Sequence, residues 1–255
     1  MPRLALITGA TSGLGEELCS LLAEKKIPLF LTGRNEKRLK ALAARHHAEA
    51  MPLDLSKSRA PLLHWIRQYE PDLVINNAGF TFYGPVLMHP TETQMEILEV
   101  NGNAAIEISI EAARSLYEQK KEGTILNVSS AAGELPFPTM AVYAASKSLL
   151  TSFSKSFDSE MKPYGIRILA AIPGQIATPF ANRASQGRFT QSPSWTTLAP
   201  RKAAEKIWHQ IERRKAVQII DFRTKAALML AKIMPRILVD RLLQKNLAKR
   251  YTEIK

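Results

Sequence analysis

The chain has 255 residues, 45% of them hydrophobic and 23% charged, a composition that excludes a disordered polymer and suits one large domain or two small ones. Its single cysteine, Cys19, excludes an internal disulfide and fits a reducing cytosol. The net charge of +12 is uneven: residues 1–200 carry 20 Lys and Arg against 18 Asp and Glu, whereas residues 201–255 carry 15 against 5.

Several function classes are excluded at this level. No stretch approaches the roughly 18 apolar residues of a membrane-spanning helix, and Met1-Pro2-Arg3 leads into a strand-like run without the features of a leader. The adjacent His46 and His47 point to different sides of a helix and cannot form a two-ligand face, so no metal site is expected. From Lys225 onward the basic tail carries one aromatic residue, Tyr251, and no DNA- or RNA-reading module, so no nucleic-acid partner is expected. The expected location is cytoplasmic.

In chain order, residues 4–8, 28–32, 50–53, 73–76, 124–128 and 167–172 read as short buried strands, apolar or β-branched and bounded by Gly, Pro, Asn or Asp. Helices are predicted over 13–26, 35–46, 59–69, 91–119 and 142–164. This alternation implies an α/β fold, a Rossmann-like doubly wound parallel sheet wrapped by helices, whose ligands sit at the carboxyl ends of the strands. The first strand runs into Thr8-Gly9-Ala10-Thr11-Ser12-Gly13-Leu14-Gly15, which opens the first helix. Glycines there let the backbone approach a pyrophosphate, while the helix N-terminus offers unpaired N–H groups. Residues 1–200 are expected to form the dinucleotide-binding and catalytic domain, with a flap over about 179–200. Residues 201–255 are expected to form a basic, amphipathic helical extension.

The spacing Gly-x-x-x-Gly-x-Gly resembles that of the classical short-chain dehydrogenases/reductases, and further motifs match in order over roughly residues 4–180. Asp54, followed by Leu55, resembles the acidic residue that meets the adenine. Asn76-Asn77-Ala78-Gly79 resembles the family's Asn-Asn-Ala-Gly element. Asn101, Ser130, Tyr143 and Lys147 fall where the family carries its catalytic four. Pro173-Gly174, Ile176 and Thr178 resemble the element that holds the nicotinamide end. Of the adjacent serines, Ser130 is chosen over Ser129 because it begins Ser-x-x-Gly and stands 13 residues before Tyr143. The resemblance implies hydride transfer between a nicotinamide ring and a carbonyl or alcohol carbon. Ser130 would hold the substrate oxygen, Tyr143 exchange its proton, Lys147 tune Tyr143 and bind the nicotinamide ribose, and Asn101 anchor a water leading to solvent. The implied cofactor-binding set is Gly9, Thr11, Ser12, Gly13, Leu14, Gly15, Arg34, Asp54, Leu55, Asn77, Ala78, Gly79, Tyr143, Lys147, Pro173, Gly174, Ile176 and Thr178.

Elementary electrostatics adds a prediction for Tyr143 and Lys147, four residues apart and therefore on one helix face. An ammonium roughly 5 Å from the phenol, at an effective dielectric of 20, favours the phenolate by about 3 kcal/mol, or about 2 pKa units. The cofactor is expected to be NADP(H) over NAD(H). Position 33 is Gly, where an acidic residue would repel a 2′-phosphate, and Arg34 offers a planar fork suited to one. Many NADP-using relatives carry a second basic residue inside the Gly-rich turn; this chain has Ser12 there.

Phe80, Phe82, Tyr83, Phe137, Met140, Phe180 and Trp195 are candidate linings for an apolar carbonyl substrate (a ketone, steroid-like or 3-oxoacyl compound) or else core residues. Leu149, Phe153, Phe157 and Met161 form a stripe that faces either the sheet or a partner subunit in a homodimer or homotetramer. The segment 225–249 has apolar and cationic faces, with a second helix beginning at Pro235. It reads as a cover for the substrate pocket, as a peripheral contact with anionic lipid, or as a site for a phosphate-bearing substrate. The alternative to an enzyme is a non-catalytic dinucleotide-binding regulator or scaffold of the same fold.

Overall fold

The computed structural model describes residues 2–187 and 194–234. Its sheet is built from β1 (Ala5–Thr8), β2 (Leu29–Gly33), β3 (Glu49–Pro52), β4 (Leu73–Asn76), β5 (Gly123–Val128), β6 (Ile166–Ile172) and β7 (Val217–Ile219). All neighbours pair in parallel, in the order β3-β2-β1-β4-β5-β6-β7. A parallel sheet buries both faces, and successive side chains alternate between them. Ala5 and Ile7 of β1 and Leu73 and Ile75 of β4 enter one apolar cluster, whereas Leu6 and Val74 enter the other. Fully burying each such Leu or Ile contributes roughly 1.5–3 kcal/mol.

The first cluster is covered by α1 (Gly13–Glu24), α2 (Glu36–His46) and α8 (Pro200–Glu212); the second by α3 (Ala60–Tyr69) and α5 (Ala105–Glu118), with α6 (Ala141–Met161) packed along its edge. The remaining α-helices are α4 (Thr91–Leu98), between α3 and α5, α7 (Phe180–Ala184), between α6 and α8, and α9 (Phe222–Ile233), after β7. Helix starts follow local chemistry. Ser12 caps α1 by accepting from the Gly15 N–H at 3.0 Å, and Asn35 caps α2 by accepting from Arg38 N–H at 2.9 Å.

Three expectations are revised. The single helix over 91–119 is interrupted by a π-helical turn, Glu99–Ala104, between α4 and α5. Its wider winding carries Asn101, which is fully buried. The sequence pattern assigns no strand beyond 172, yet β7 joins the sheet beside β6. Within the expected flap, Phe180–Ala184 is helical, and Ile176 bridges Leu198 at its base. Of the predicted tail helices, α9 covers Phe222–Ile233; Pro235 and the remainder of 225–249 lie outside the described residues. Among the described residues no helix is long and apolar enough to cross a membrane.

The open stripe on α6 resolves into a flank. The helix buries Tyr143, Ala144, Ser146, Lys147, Leu150, Thr151, Ser154 and Asp158. Phe157 and Met161 pack against the second cluster's margin, and Leu149 stays 41% exposed. The sheet order reverses between β1 and β4, whose chains diverge to opposite sides, and a crevice opens at that switch point.

Candidate active site

Two adjoining cavities fill the crevice. The first, about 370 Å³, lies over the ends of β1, β2 and β3 and is lined by Gly9, Thr11, Ser12, Gly33, Arg34, Asp54, Leu55, Ala78, Gly79 and others. The second, about 330 Å³, lies over β5 and β6 and is lined by Ser130, Tyr143, Lys147, Pro173, Gly174, Ile176 and Thr178, with Tyr83, Phe137, Met140 and Phe180 supplying apolar wall. Ser12 and Gly79 border both.

The glycines of the turn serve close backbone packing. Gly9 has φ +62°, and a Cβ there would stand 2.7 Å from Ala78 Cα; one on Gly15 would stand 2.4 Å from the Gly9 carbonyl oxygen. A Cβ on Gly13 would meet Thr178 at 2.7 Å. The turn is also tied to the end of β4: Thr8 Oγ1 accepts from the N–H groups of Asn77 and Ala78 at 3.1 Å each, and Asn77 Nδ2 donates to Gly9 O at 3.0 Å. Gly15 therefore acts beneath the cavities rather than lining them. The open N-terminus of α1 and the side-chain-free wall at Gly9 and Gly33 fit an extended dinucleotide.

At the far rim, Arg34 lies 5.4 Å from the centre of the Phe80 ring, a cation–π contact that steadies the guanidinium. Burial raises the Asp54 pKa, but hydrogen bonds from the Ser56 hydroxyl (2.8 Å) and N–H (3.1 Å), with Arg34 and Lys57 nearby, outweigh it and hold the carboxyl below its ordinary value.

In the second cavity Lys147 Nζ donates to Val128 O at 2.9 Å and lies 5.8 Å from the centre of the Tyr143 ring. Ser130 hydrogen-bonds the Tyr143 phenol, and its Oγ accepts from the Ala132 N–H at 3.2 Å. Ser129 is committed elsewhere, donating to Lys147 O at 2.8 Å and bonding Thr151 at 2.6 Å. The expected electrostatic depression of the phenol does not prevail. Burial pushes Tyr143 up to about 12 despite its bond to Ser130, and burial alone brings Lys147 down to about 8. In a dry pocket the cost of taking charge out of water exceeds the attraction between the two groups.

Asn101 does not line either cavity. Its side chain clamps the backbone of Phe80, accepting from the N–H at 2.9 Å and donating to the carbonyl at 2.8 Å. Its Oδ1 is the atom nearest to a Cβ built on Gly79, at 3.0 Å, with Lys147 Nζ next at 3.4 Å. The structure thus brings Ser130, Tyr143 and Lys147 together, with Asn101 just behind them. Among the proposed aromatic linings, Phe80 borders the first cavity, Phe82 borders neither, and Trp195 is 65% exposed.

One contribution escapes sequence reasoning. Arg183 of α7 lines both cavities; its only local signal is its position five residues past Thr178. As to the three readings of the tail, the described part of α9 packs beside the second cavity: a Cβ on Gly174 would meet Thr224 Oγ1 of α9 at 2.3 Å, and Lys232 pairs with Glu134 at 3.2 Å. Arg223 donates to the carbonyl of Trp195 at 2.6 Å, tying α9 to the flap.

A parallel sheet with this crevice defines a dinucleotide-binding oxidoreductase architecture, and comparison with known proteins specifies it. A sequence model described as short chain dehydrogenase matches residues 3–188, so the chain belongs to the short-chain dehydrogenase/reductase family. It is 27% identical over 183 residues to an uncharacterized oxidoreductase of Staphylococcus epidermidis, covering 69% of this chain and 79% of the relative. It is 32% identical over 187 residues to a very-long-chain 3-oxoacyl-CoA reductase of Podospora anserina, covering 68% and 55% respectively. A short-chain dehydrogenase from Sphingobium yanoikuyae in complex with NADPH superposes with a TM-score of 0.78 at 25% identity, covering 91% of this chain and 96% of that one.

Proposed function

We propose that the protein is an NADP(H)-dependent reductase that converts the carbonyl of an apolar substrate to an alcohol, with Ser130, Tyr143 and Lys147 as its catalytic residues. The observation that carries this reading is the meeting of buried Tyr143 and Lys147 with half-buried Ser130 in an apolar-walled cavity that adjoins a glycine-walled, arginine-rimmed one. A non-catalytic scaffold of the same fold has no use for such an assembly. The NADPH complex of the Sphingobium relative and the 3-oxoacyl-CoA substrate class of the Podospora relative support the same reading.

Bound nicotinamide would supply the hydride for the carbonyl carbon. The chain's own residues manage the oxygen and its proton. Ser130 bonds the phenol in the structure, and with substrate bound its single O–H would turn to the substrate oxygen. Tyr143, with a pKa of about 12, is protonated at neutral pH and stands ready to give its proton to the oxygen as negative charge develops there, which suits reduction. Lys147, at about 8, is still mostly an ammonium at pH 7 and stabilises the tyrosinate left behind. Asn101 acts as a positioning residue through Phe80 and Gly79. Gly13, Leu14, Asn77, Pro173, Gly174, Ile176 and Thr178 would hold the nicotinamide end; Gly9, Thr11, Ser12, Asp54, Leu55, Ala78 and Gly79 the adenosine end; and Arg34 the 2′-phosphate.

The described part of α9 closes the substrate end of the cavity through Gly174 and Glu134. The half-exposed stripe of α6 supports assembly into a homodimer or homotetramer. The deciding experiment is an NADPH-oxidation screen across ketones, quinones, steroids and 3-oxoacyl thioesters, run beside titrations with NADPH and NADH. Oxidation with an apolar carbonyl and tighter binding of NADPH are expected. Tighter binding of NADH overturns the cofactor assignment, and binding without oxidation of any class overturns the reductase.

A further inference from the structure

Positive charge gathers around the first cavity in a way the Gly-rich turn does not account for. Ser12, where a basic residue of the turn would stand, is occupied structurally: its Oγ accepts from the Gly15 N–H at 3.0 Å and from Asn77 Nδ2 at 3.1 Å. Two guanidinium groups, Arg34 and Arg183, line the first cavity instead, and Arg38 lies close enough for its field to reach Arg183. Arg34 follows β2, Arg38 lies in the first turn of α2, and Arg183 reaches over from α7. Arg38 is neutralised by an ion pair with Glu16 of α1. Arg34 has Asp54 in its field but no carboxylate within ion-pair distance, and neither does Arg183, among the described residues. Arg183 is the one arginine that borders both cavities. Burial first, then the fields of Arg38 and Arg34, lower its pKa, with Glu16 opposing. It therefore stands near enough to the other two to feel their charge. Glu16 offsets the charge of Arg38, but the like charges of Arg34 and Arg183 still repel, a cost that a bound anion would relieve.

We propose that Arg183 is a second ligand of the cofactor's 2′-phosphate, carried by the flap helix. This rests on the NADP(H) reading above. The 2′-phosphate is favoured over the diphosphate because Arg183 shares the wall of the first cavity with Arg34, the residue read as the first ligand, and lies in the fields of Arg34 and Arg38. Phosphate carries up to two charges and presents several oxygens, so two planar guanidinium forks can share it without competing for one acceptor. α7 follows Thr178 directly, and Phe180 of the same helix lies 5.9 Å from the Tyr143 ring, centre to centre. A helix held by the phosphate at one side therefore also sets the wall of the catalytic cavity at the other.

The test is equilibrium binding, which needs no substrate. Arg183→Gln and Arg183→Lys are titrated with NADPH and NADH by following nucleotide fluorescence, and with 2′,5′-ADP and 5′-AMP as competitors. Arg183 is exposed and its side chain makes no ion pair among the described residues, so both variants are expected to unfold at the wild-type temperature, which a thermal melt checks. Arg183→Gln should weaken NADPH and 2′,5′-ADP by roughly tenfold, the loss of one charge-assisted contact, and leave NADH and 5′-AMP within about twofold. Arg183→Lys should restore part of the loss. Equal weakening of NADPH and NADH places Arg183 on the diphosphate and overturns the proposal; unchanged binding of both makes it a solvent-facing residue and also overturns it. The two readings fail separately. A wild-type preference for NADH refutes NADP(H) use itself, whereas a wild-type NADPH preference that survives Arg183→Gln but not Arg34→Gln refutes only the role of Arg183.

Discussion

The two halves of the crevice are built on opposite principles. Over β1, β2 and β3, glycines and the charged Arg34, Asp54 and Arg183 stand beside a few apolar side chains such as Phe80 and Leu55, and this is the wetter half. Over β5 and β6 the walls are Phe137, Met140, Phe180 and Tyr83, with Tyr143 and Lys147 buried among them, and this is the drier half. In the wet half, charge acts at the rim and tunes affinity. In the dry half, the same kind of interaction is overruled by desolvation, which is why Tyr143 titrates above its ordinary value even with an ammonium close by. The sheet thus sets a charged cavity and an apolar-walled one side by side at its switch point.

The contrast yields predictions of decreasing size. Replacing Tyr143 by Phe should lower NADPH-dependent turnover by about 1,000-fold or more while leaving NADPH binding intact, since the proton donor alone is lost. Turnover within tenfold of wild type would refute its role. The serine pair sharpens this: Ser130→Ala should cost about 100-fold in kcat. Ser129→Ala should leave kcat within a few-fold and lower stability by about 1 kcal/mol, seen as a fall in Tm. A reversal of the two would exchange their assignments.

In the wet half, Arg34→Gln should weaken NADPH by roughly tenfold with NADH nearly unaffected, read by titration. Raising the salt concentration should narrow the wild-type difference between the two nucleotides, because the rim is screened. Finally, reduction should fall as pH rises through about 8, where Lys147 loses its proton and with it the charge that stabilises tyrosinate. The falling limb should approach tenfold per pH unit and disappear from the residual activity of Lys147→Met. A flat profile to pH 10 would show that Lys147 works without its charge.

Much of this architecture is legible without coordinates because its determinants are local. Six of the seven strands are short, mostly apolar runs bounded by turn formers. Tyr143 and Lys147 share a helix face by spacing alone, and the Gly-rich turn declares itself between the first strand and the first helix. β7 was not legible: Val217-Gln218-Ile219 is three residues long and becomes a strand only because β6 presents an open edge. The π turn at Asn101 was hidden as well, since the surrounding residues favour helix and only the inward demand of the Asn101 side chain for the Phe80 backbone accompanies the wider winding.

Composition, periodicity and motif order by themselves determined the α/β class, the crevice at the strand ends and which residues resemble the family's motifs. Tertiary structure alone decided how deeply Tyr143 is buried, that α9 packs on Gly174, and that Arg183 shares a cavity wall with Arg34. The reason is the same in each case: burial and the meeting of charges from distant segments depend on distances through space, and a linear pattern encodes only distances along the chain.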